Sequence, residues 1–347
     1  MQLIVLGLNH KTAPVEIRER FNFSQDRTVR VLRRLRNNDN LNEAVLLSTC
    51  NRTELYMVLE DPVAGLHFIR TLLRHLAGEQ YKPDYFYNLT GINCVRHLFK
   101  VASSLDSLII GEGQILSQIK NAYHLSRSCG MTDTLFKTLF NRAIAVGKRV
   151  RTETKIAYSS VSVSSAAVDL AIDVVGDLTK ANILVLGAGR MSELTARHLI
   201  DKGAKTIFVS NRNLSHAQEL AEKFNGTAIP YNEFMHQAIT SDIIITSTGA
   251  PHYVITEQGV RDIIPKRSGK PLILVDIAVP RDVDPLVGDI EGVTLYNIDD
   301  LEGVVDMNKN FRSSEAKVAE AIIDEEITAL KERLRYELDT IRNMGYV

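Results

Sequence analysis

The 347-residue sequence predicts an α/β chain in three parts: an α+β domain, a doubly wound parallel-sheet domain, and one long C-terminal helix. Three observations predict it. Over residues 1–155, strand-like and helix-like runs mix without a strand–helix–strand rhythm, which argues for α+β. From Asn182 a continuous apolar run enters a glycine turn and a helix. Strands and helices then alternate with short connections, as in an open parallel sheet. From about Leu301 to Arg342, Ala316, Ala319, Ile323, Ile327, Leu330, Leu334, Leu338 and Ile341 recur at steps of three and four among Glu, Lys and Arg, the period of a helix with a narrow apolar seam. The domains are accordingly set at 1–155, 156–300 and 301–347.

In chain order, residues 2–8 read as a strand and Ser24 to about Arg36 as a helix opened by a serine cap. Ala44–Leu47 and Leu55–Leu59 are two strand-like runs around a short polar loop. A helix is expected from about Val63 to Leu76, then a loop rich in Tyr, Pro and Asn over Tyr81–Thr90. Cys94–Ser104 has helical spacing, 109–114 is a break, and helices run on to about Ser128 and over 132–152, the last with Leu135, Leu139, Ala143 and Val146 on one face. The serine-rich stretch 156–166 is a linker or helix entry, with its helix reaching about Val175. In the second domain the expected strands are 182–186, 206–210, 242–247 and 272–276, with helices to about Lys202 and over Asn213–Phe224.

Apolar residues make up 45% of the chain and charged residues 24%, ordinary values for a globular protein. No run approaches the roughly 18 apolar residues of a membrane span. The N-terminus reads as a first strand, without the basic region and cleavage site of a signal peptide. Cys50, Cys94 and Cys129 form neither a paired framework nor a Cys-x-x-Cys, so no disulfide and no metal site is expected, and the expected compartment is the reducing cytoplasm. Charge is uneven: residues 1–160 carry 22 Lys+Arg against 14 Asp+Glu, the remainder 19 against 28. Two basic clusters, Arg27/Arg30/Arg33/Arg34/Arg36 and Arg142/Lys148/Arg149/Arg151/Lys155, are either solvated helix faces or a surface for a polyanion.

The most informative loop is Ser48-Thr49-Cys50-Asn51-Arg52-Thr53-Glu54. A thiol at a strand end is held firmly and can be reached, and the thiolate is its reactive form. Arg52 could lower the thiol pKa or grip a carboxylate through its planar fork. A small buried cysteine is the other reading of these residues. In the second domain, Gly187-Ala188-Gly189-Arg190-Met191-Ser192 lies at a strand-to-helix turn, where backbone can approach a pyrophosphate at a helix N-terminus. This is a Rossmann-like fingerprint with Ser192 at the third glycine position, so helix–strand packing must accept a hydroxyl. The next strand ends in Ser210-Asn211-Arg212, without the acid that would hold a 2′-hydroxyl, and an arginine there suits the 2′-phosphate of NADP.

Taken together, these stretches resemble the glutamyl-tRNA reductases, NADPH-dependent enzymes that open five-carbon tetrapyrrole synthesis. The resemblance covers nearly the whole chain and is carried by Gly7–Pro14, Ser48–Glu54, Leu105–Leu116, the turn at Gly187 and Asp276–Arg281. It implies that Cys50 attacks the ester of glutamyl-tRNA(Glu), and that the thioester is reduced by NADPH to glutamate-1-semialdehyde. It implies substrate contacts at Thr49, Asn51 and Arg52, with Arg52 pairing the glutamate carboxylate. Further contacts are implied at Ser107, Glu112, Gly113, Gln114 and Gln118, the last two spaced to share a helix face. His97 matches a histidine important for activity, by orientation or by proton donation. Gly113 stands where many relatives carry proline. The resemblance also implies a homodimer, through a helical dimerisation domain that this chain cuts short, and hand-over of the product to glutamate-1-semialdehyde aminomutase.

Two other classes share features with the sequence. A shikimate-type metabolite dehydrogenase has the same strand–glycine–strand–Asn–Arg pattern but no use for Cys50. A non-catalytic RNA-binding module would keep the nucleotide fold and bind no NADPH. The seam of the long helix suits either a partner helix or the chain's own domains.

Overall fold

A computed structural model describes residues 1–77, 82–108, 111, 113–156, 163–301 and 309–343; within these, the side chains of 76–77, 309–314 and 333–343 are not described. The chain forms two compact units, residues 1–160 with 308–347, and residues 161–307.

The first unit is built on a four-stranded antiparallel sheet. Its strands are β1 (Gln2–Asn9), β2 (Leu41–Ser48), β3 (Arg52–Leu59) and β4 (Tyr87–Thr90), in the order β2-β3-β1-β4. Every residue of β3 is buried, because helices cover both faces. Val5, Val45, Leu47, Tyr56 and Val58 point into one core, with α4 (Gly91–Ala102), α5 (Gln114–Ser128) and α6 (Thr134–Glu153). Ile4, Leu6, Leu8, Leu46, Leu55 and Met57 point into the other, with α2 (Gln25–Leu35) and α3 (Pro62–Ala77). A one-turn helix, α1 (Val15–Arg18), follows β1. Ser24 caps α2 as its sequence predicts, its hydroxyl accepting from the Arg27 amide.

The outer edge of β2 is covered. Glu43 is buried, and its Oε2 accepts from the Asp133 and Phe136 amides at 2.6 and 3.0 Å, capping α6 with a negative charge. The stretch around Thr90, read from sequence as a loop, contains β4. Four residues carry too little periodicity to be seen locally, and pairing with β1 makes them a strand.

The long C-terminal helix is described over Lys309–Asn343; residues 302–308 of the expected helix lie outside the described residues. In this chain-order numbering it is α12. Ala319, Ile322, Ile323, Ile327 and Leu330 are buried in the core formed with α4 and α6, so this part of the seam packs on its own unit. The seam positions Leu334, Leu338 and Ile341 lie outside the described side chains. Outside the apolar contact, Lys100 pairs with Glu320 at 2.8 Å, Arg96 with Asp324, Arg142 with Glu326 at 2.5 Å, and Arg149 with Glu325 and Glu326 at 2.9 and 3.0 Å. Arg142 and Arg149 of the second basic cluster are thus engaged by acids of the same chain. Arg30, Arg33, Arg34 and Arg36 of the first stand exposed.

The second unit is a six-stranded parallel sheet with helices packed against it. The strands are β5 (Asn182–Leu186), β6 (Thr206–Asn211), β7 (Thr227–Pro230), β8 (Ile243–Thr246), β9 (Leu272–Asp276) and β10 (Val293–Asn297). Their spatial order is β7-β6-β5-β8-β9-β10. Sequence reading missed β7 and β10, the two edge strands, which are short and half-exposed. Helices α7 (Val163–Val175), α8 (Arg190–Asp201), α9 (Leu214–Lys223), α10 (Phe234–Ala238) and α11 (Glu257–Ile263) complete the unit. Order reverses between β5 and β8, and at such a point a crevice opens beyond the strand ends.

The packing of α12 is testable. Ile323→Ala should lower the urea-unfolding free energy of the first unit by roughly 2–4 kcal/mol. Val318→Ala, on the exposed side of the same helix, should change it by less than about 0.5 kcal/mol.

Candidate active site

The hairpin between β2 and β3 is tight. Its ladder runs to Ser48 opposite Thr53, and the Thr49 amide donates to the Arg52 carbonyl at 2.8 Å. The Thr49 hydroxyl oxygen accepts from the Asn51 and Arg52 amides at 3.2 and 3.1 Å, so a side chain closes the turn. Cys50 and Asn51 are left at the tip. Buried Arg18 reaches across, Nε donating to the Cys50 carbonyl at 3.3 Å and Nη1 to that of Ala13 at 3.1 Å. The His10 amide donates to the Asn51 carbonyl at 3.0 Å. The backbone on both sides of the thiol is therefore pinned, while the Cys50 side chain is only half-buried. Cys94 differs: it is fully buried in the core, and burial pushes its thiol well up.

Beneath the tip lies a polar cluster centred on Glu54, which is 0% exposed. Its Oε1 accepts from Arg52 Nη1 at 2.6 Å, the Tyr87 hydroxyl at 2.5 Å and His97 Nε2 at 2.8 Å; its Oε2 accepts from the Tyr56 hydroxyl at 2.6 Å. Burial pushes this carboxyl up, but the Arg52 guanidinium, His97 and the hydrogen bonds outweigh it and hold the group well below the usual carboxylate range. An ionised Glu54 only accepts, so the proton of His97 facing it must sit on Nε2. Arg52 is itself buried and also donates to Asp106 Oδ2 at 3.1 Å, leaving Nη2 without a hydrogen-bond partner among the described residues. Lys11 pairs with the other Asp106 oxygen.

Arg52 and His97 thus meet on Glu54, at the base of the hairpin whose tip carries Cys50 and Asn51. Ser107 follows Asp106 and accepts from the Ser104 hydroxyl at 3.1 Å. Gly113 caps the start of α5 beneath the Arg151 guanidinium; a Cβ there would lie 2.8 Å from Nη2. Gln114 opens α5, and Gln118, one turn on, lines a groove of about 540 Å³ with Phe23, Thr28 and Ser48; Gln114 is not among its lining residues. Glu112 lies outside the described residues. Sequence reasoning missed Glu54, Asp106, Lys11, His10 and Tyr87 as site residues. The first four lie inside stretches already singled out, and a charged residue inside an apolar strand was the available signal for Glu54.

In the second unit, Gly187 closes the turn after β5 with φ 118°, a left-handed conformation that favours glycine. A Cβ there would lie 2.9 Å from Ser192 Oγ and 3.0 Å from the Ser247 carbonyl oxygen. Ser192 is buried and its hydroxyl shares a hydrogen bond of 2.7 Å with that of Ser247, which is how the packing accommodates the missing third glycine. Gly189 caps α8 and faces open space, with no atom within 4 Å of an added Cβ. The crevice at the switch point, about 310 Å³, is lined by Gly187, Ala188, Gly189, Ser210, Asn211 and Arg212, together with Tyr231 and residues 247–250. Ser210 Oγ is buried there without a partner among the described residues. Arg190 and Met191 begin α8 beside it. A helix N-terminus, open glycine backbone and an unsatisfied hydroxyl fit the diphosphate of a dinucleotide.

Asp276, at the end of β9, is 1% exposed. Burial and neighbouring Asp282 push its carboxyl up to about 7 against the hydrogen bonds of Val283, Ala278 and Thr246. These bonds tie the loop after β9 to the sheet. Among the described residues no group of three or more His, Cys, Asp or Glu is arranged to hold a metal, and no helix is long and apolar enough to cross a membrane.

His10 supplies a pH test. Burial, then the charges of Arg52 and Lys11, lower its pKa from 6.5 to about 4. A base with a depressed folded pKa contributes stability above about 6.5 that is lost as pH falls toward about 4. The unfolding free energy of the first unit should decline across that window, and His10→Gln should flatten the decline in urea titrations run at stepped pH.

Residues 6–154 match the family described as glutamyl-tRNA(Glu) reductase, N-terminal domain, and residues 169–304 the family described as shikimate/quinate 5-dehydrogenase. The glutamyl-tRNA reductase of Trichlorobacter lovleyi is 46% identical over 330 residues, covering 94% of this chain and 76% of that protein. The glutamyl-tRNA reductase of Brevibacillus brevis is 45% identical over 332 residues, covering 95% and 73%. The solved structure of glutamyl-tRNA reductase from Methanopyrus kandleri aligns with 96% of this chain and 80% of that one at 36% identity, with a TM-score of 0.50. With one sequence relationship running through both the cysteine hairpin and the nucleotide crevice, the chain belongs to the glutamyl-tRNA reductase family.

Proposed function

We propose that this protein reduces the glutamyl ester of tRNA(Glu) to glutamate-1-semialdehyde with NADPH, by way of a thioester on Cys50. The observation that carries this reading is the pinned hairpin tip, which holds a half-buried thiol two residues before a buried guanidinium whose Nη2 has no hydrogen-bond partner among the described residues. The Cys50 thiolate forms a bond to the ester carbonyl carbon, the bond from that carbon to the terminal ribose oxygen breaks, and the ribose oxygen takes a proton. When bound, NADPH supplies a hydride to the carbonyl carbon. The carbon–sulfur bond then breaks, releasing the aldehyde and restoring the Cys50 thiolate. A thioester is a readier hydride acceptor than the original ester.

Arg52 Nη2 is suited to the substrate carboxylate, with Asn51, Thr49, Ser107, Glu112, Gly113, Gln114 and Gln118 as the remaining substrate contacts. His97, oriented by Glu54, is assigned to proton transfer or substrate orientation. Residues 187–192 and 210–212 hold the dinucleotide, and Arg212 at the end of β6 favours NADPH over NADH. The exposed arginines of α2 are the surface offered to tRNA phosphates. A homodimer through the remainder of the long helix, hand-over of the reactive aldehyde to the aminomutase, and action in the cytoplasm complete the reading.

Incubation with charged glutamyl-tRNA without NADPH should trap a glutamyl adduct on the Cys50 peptide by mass spectrometry. Cys50→Ser should abolish the adduct and lower reduction roughly 10⁴-fold; an adduct on another residue would sink the assignment. Neutralising Arg30, Arg33 and Arg34 together should reduce the slope of log affinity for tRNA against log salt, by up to about one for each phosphate no longer neutralised. Arg149→Gln should leave that slope unchanged.

A further inference from the structure

Beside the nucleotide crevice stands a second nitrogen-bearing side chain that the reading above does not use. His252 lies on the exposed tip Pro251-His252-Tyr253 after β8, and its Nε2 is 3.3 Å from Arg212 Nη2. The Arg212 guanidinium also lies over the Tyr231 ring, 5.9 Å from its centroid. Residues from three connections, after β6, β7 and β8, therefore converge at one edge of the crevice.

The tip is held firmly, although it is exposed. The Asp282 carboxylate accepts from the Thr248 amide at 2.7 Å and from the Thr248 hydroxyl, at one end of the loop. The Asp282 carbonyl accepts from the Val254 and Ile255 amides at 2.6 and 2.9 Å, at the other end. Asp276 Oδ2 in turn accepts from the Asp282 amide at 2.9 Å. One buried residue thus clamps both ends of the 248–255 loop and presents His252 to Arg212 without a hinge.

We propose that His252 is a specificity-determining residue that shares the 2′-phosphate of NADPH with Arg212. The inference rests on the NADPH reading given above. Arg212 Nη2 donates to His252 Nε2 at 3.3 Å, which leaves the imidazole proton on Nδ1; the guanidinium, a permanent cation, and that Nδ1–H offer separate hydrogen bonds to an anion with three terminal oxygens. A 2′-hydroxyl, as in NADH, has no charge to place between them. Because the pair is preorganised by Asp282, little ordering is needed when the phosphate arrives.

Dissociation constants of the purified protein for NADPH and NADH, by fluorescence titration, and for 2′,5′-ADP and 5′-AMP, by calorimetry, test this. His252→Ala should weaken NADPH and 2′,5′-ADP about tenfold, the scale of one charge-assisted hydrogen bond. NADH and 5′-AMP should be unaffected, and His252→Lys should restore much of the NADPH preference. In a double-mutant cycle with Arg212→Gln, the two losses should be non-additive for NADPH and absent for NADH. Equal weakening of NADPH and NADH would make His252 a wall for the adenine and overturn the proposal. No weakening in His252→Ala while Arg212→Gln still loses NADPH selectively would overturn it and leave the NADPH reading standing. A wild-type protein that binds NADPH and NADH alike would remove both.

Discussion

The first unit depends on one buried carboxylate. Glu54 sits on the central strand β3, where every neighbour is buried, and taking an isolated charge out of water there would cost several kcal/mol. The cost is offset only because Arg52, Tyr56, Tyr87 and His97 all donate to it. Such a network is strong when complete and worse than an apolar core when one member is missing. The constraint runs both ways. Glu54 fixes the His97 ring and the inner edge of Arg52, and its bond to Tyr87 ties short strand β4 to the sheet.

The same logic governs the tip. Arg18, Thr49 and the His10 amide hold the chain around Cys50 by hydrogen bonds. A reacting thiol has to be reachable, so it cannot be fixed by packing its own side chain. Fixing the backbone on both sides gives orientation without burial. In the second unit, Asp276 and Asp282 do comparable work, joining the ends of β8 and β9 so that the crevice wall opposite the glycine turn is rigid.

The last helix takes up part of the basic charge of the first unit. Acids of α12 engage Arg96, Lys100, Arg142 and Arg149, so much of the basic excess in the first half is taken up inside the unit. These pairs are largely exposed and each contributes little to stability. Among the described residues no acid pairs with Arg30, Arg33 or Arg34, so α2 keeps an exposed basic face.

The sequence by itself determined the two domain classes, nearly all the long helices, the glycine turn and the cysteine loop. Each of these is written in local periodicity or in turn chemistry, which act over a few residues. It also made Cys50, Arg52 and Arg212 conspicuous, because each stands at a strand end among residues that do not belong to a core. Only the tertiary structure decided which side chains meet them. Glu54 and His97 are 43 positions apart, Arg52 and Asp106 are 54 apart, and Arg212 and His252 are 40 apart. The short edge strands β4, β7 and β10, the destination of the α12 seam and the neutralisation of the second basic cluster were likewise settled by folding. Long-range partners leave no period in the chain, and a polar residue reads the same in sequence whether it is solvated or buried against four donors.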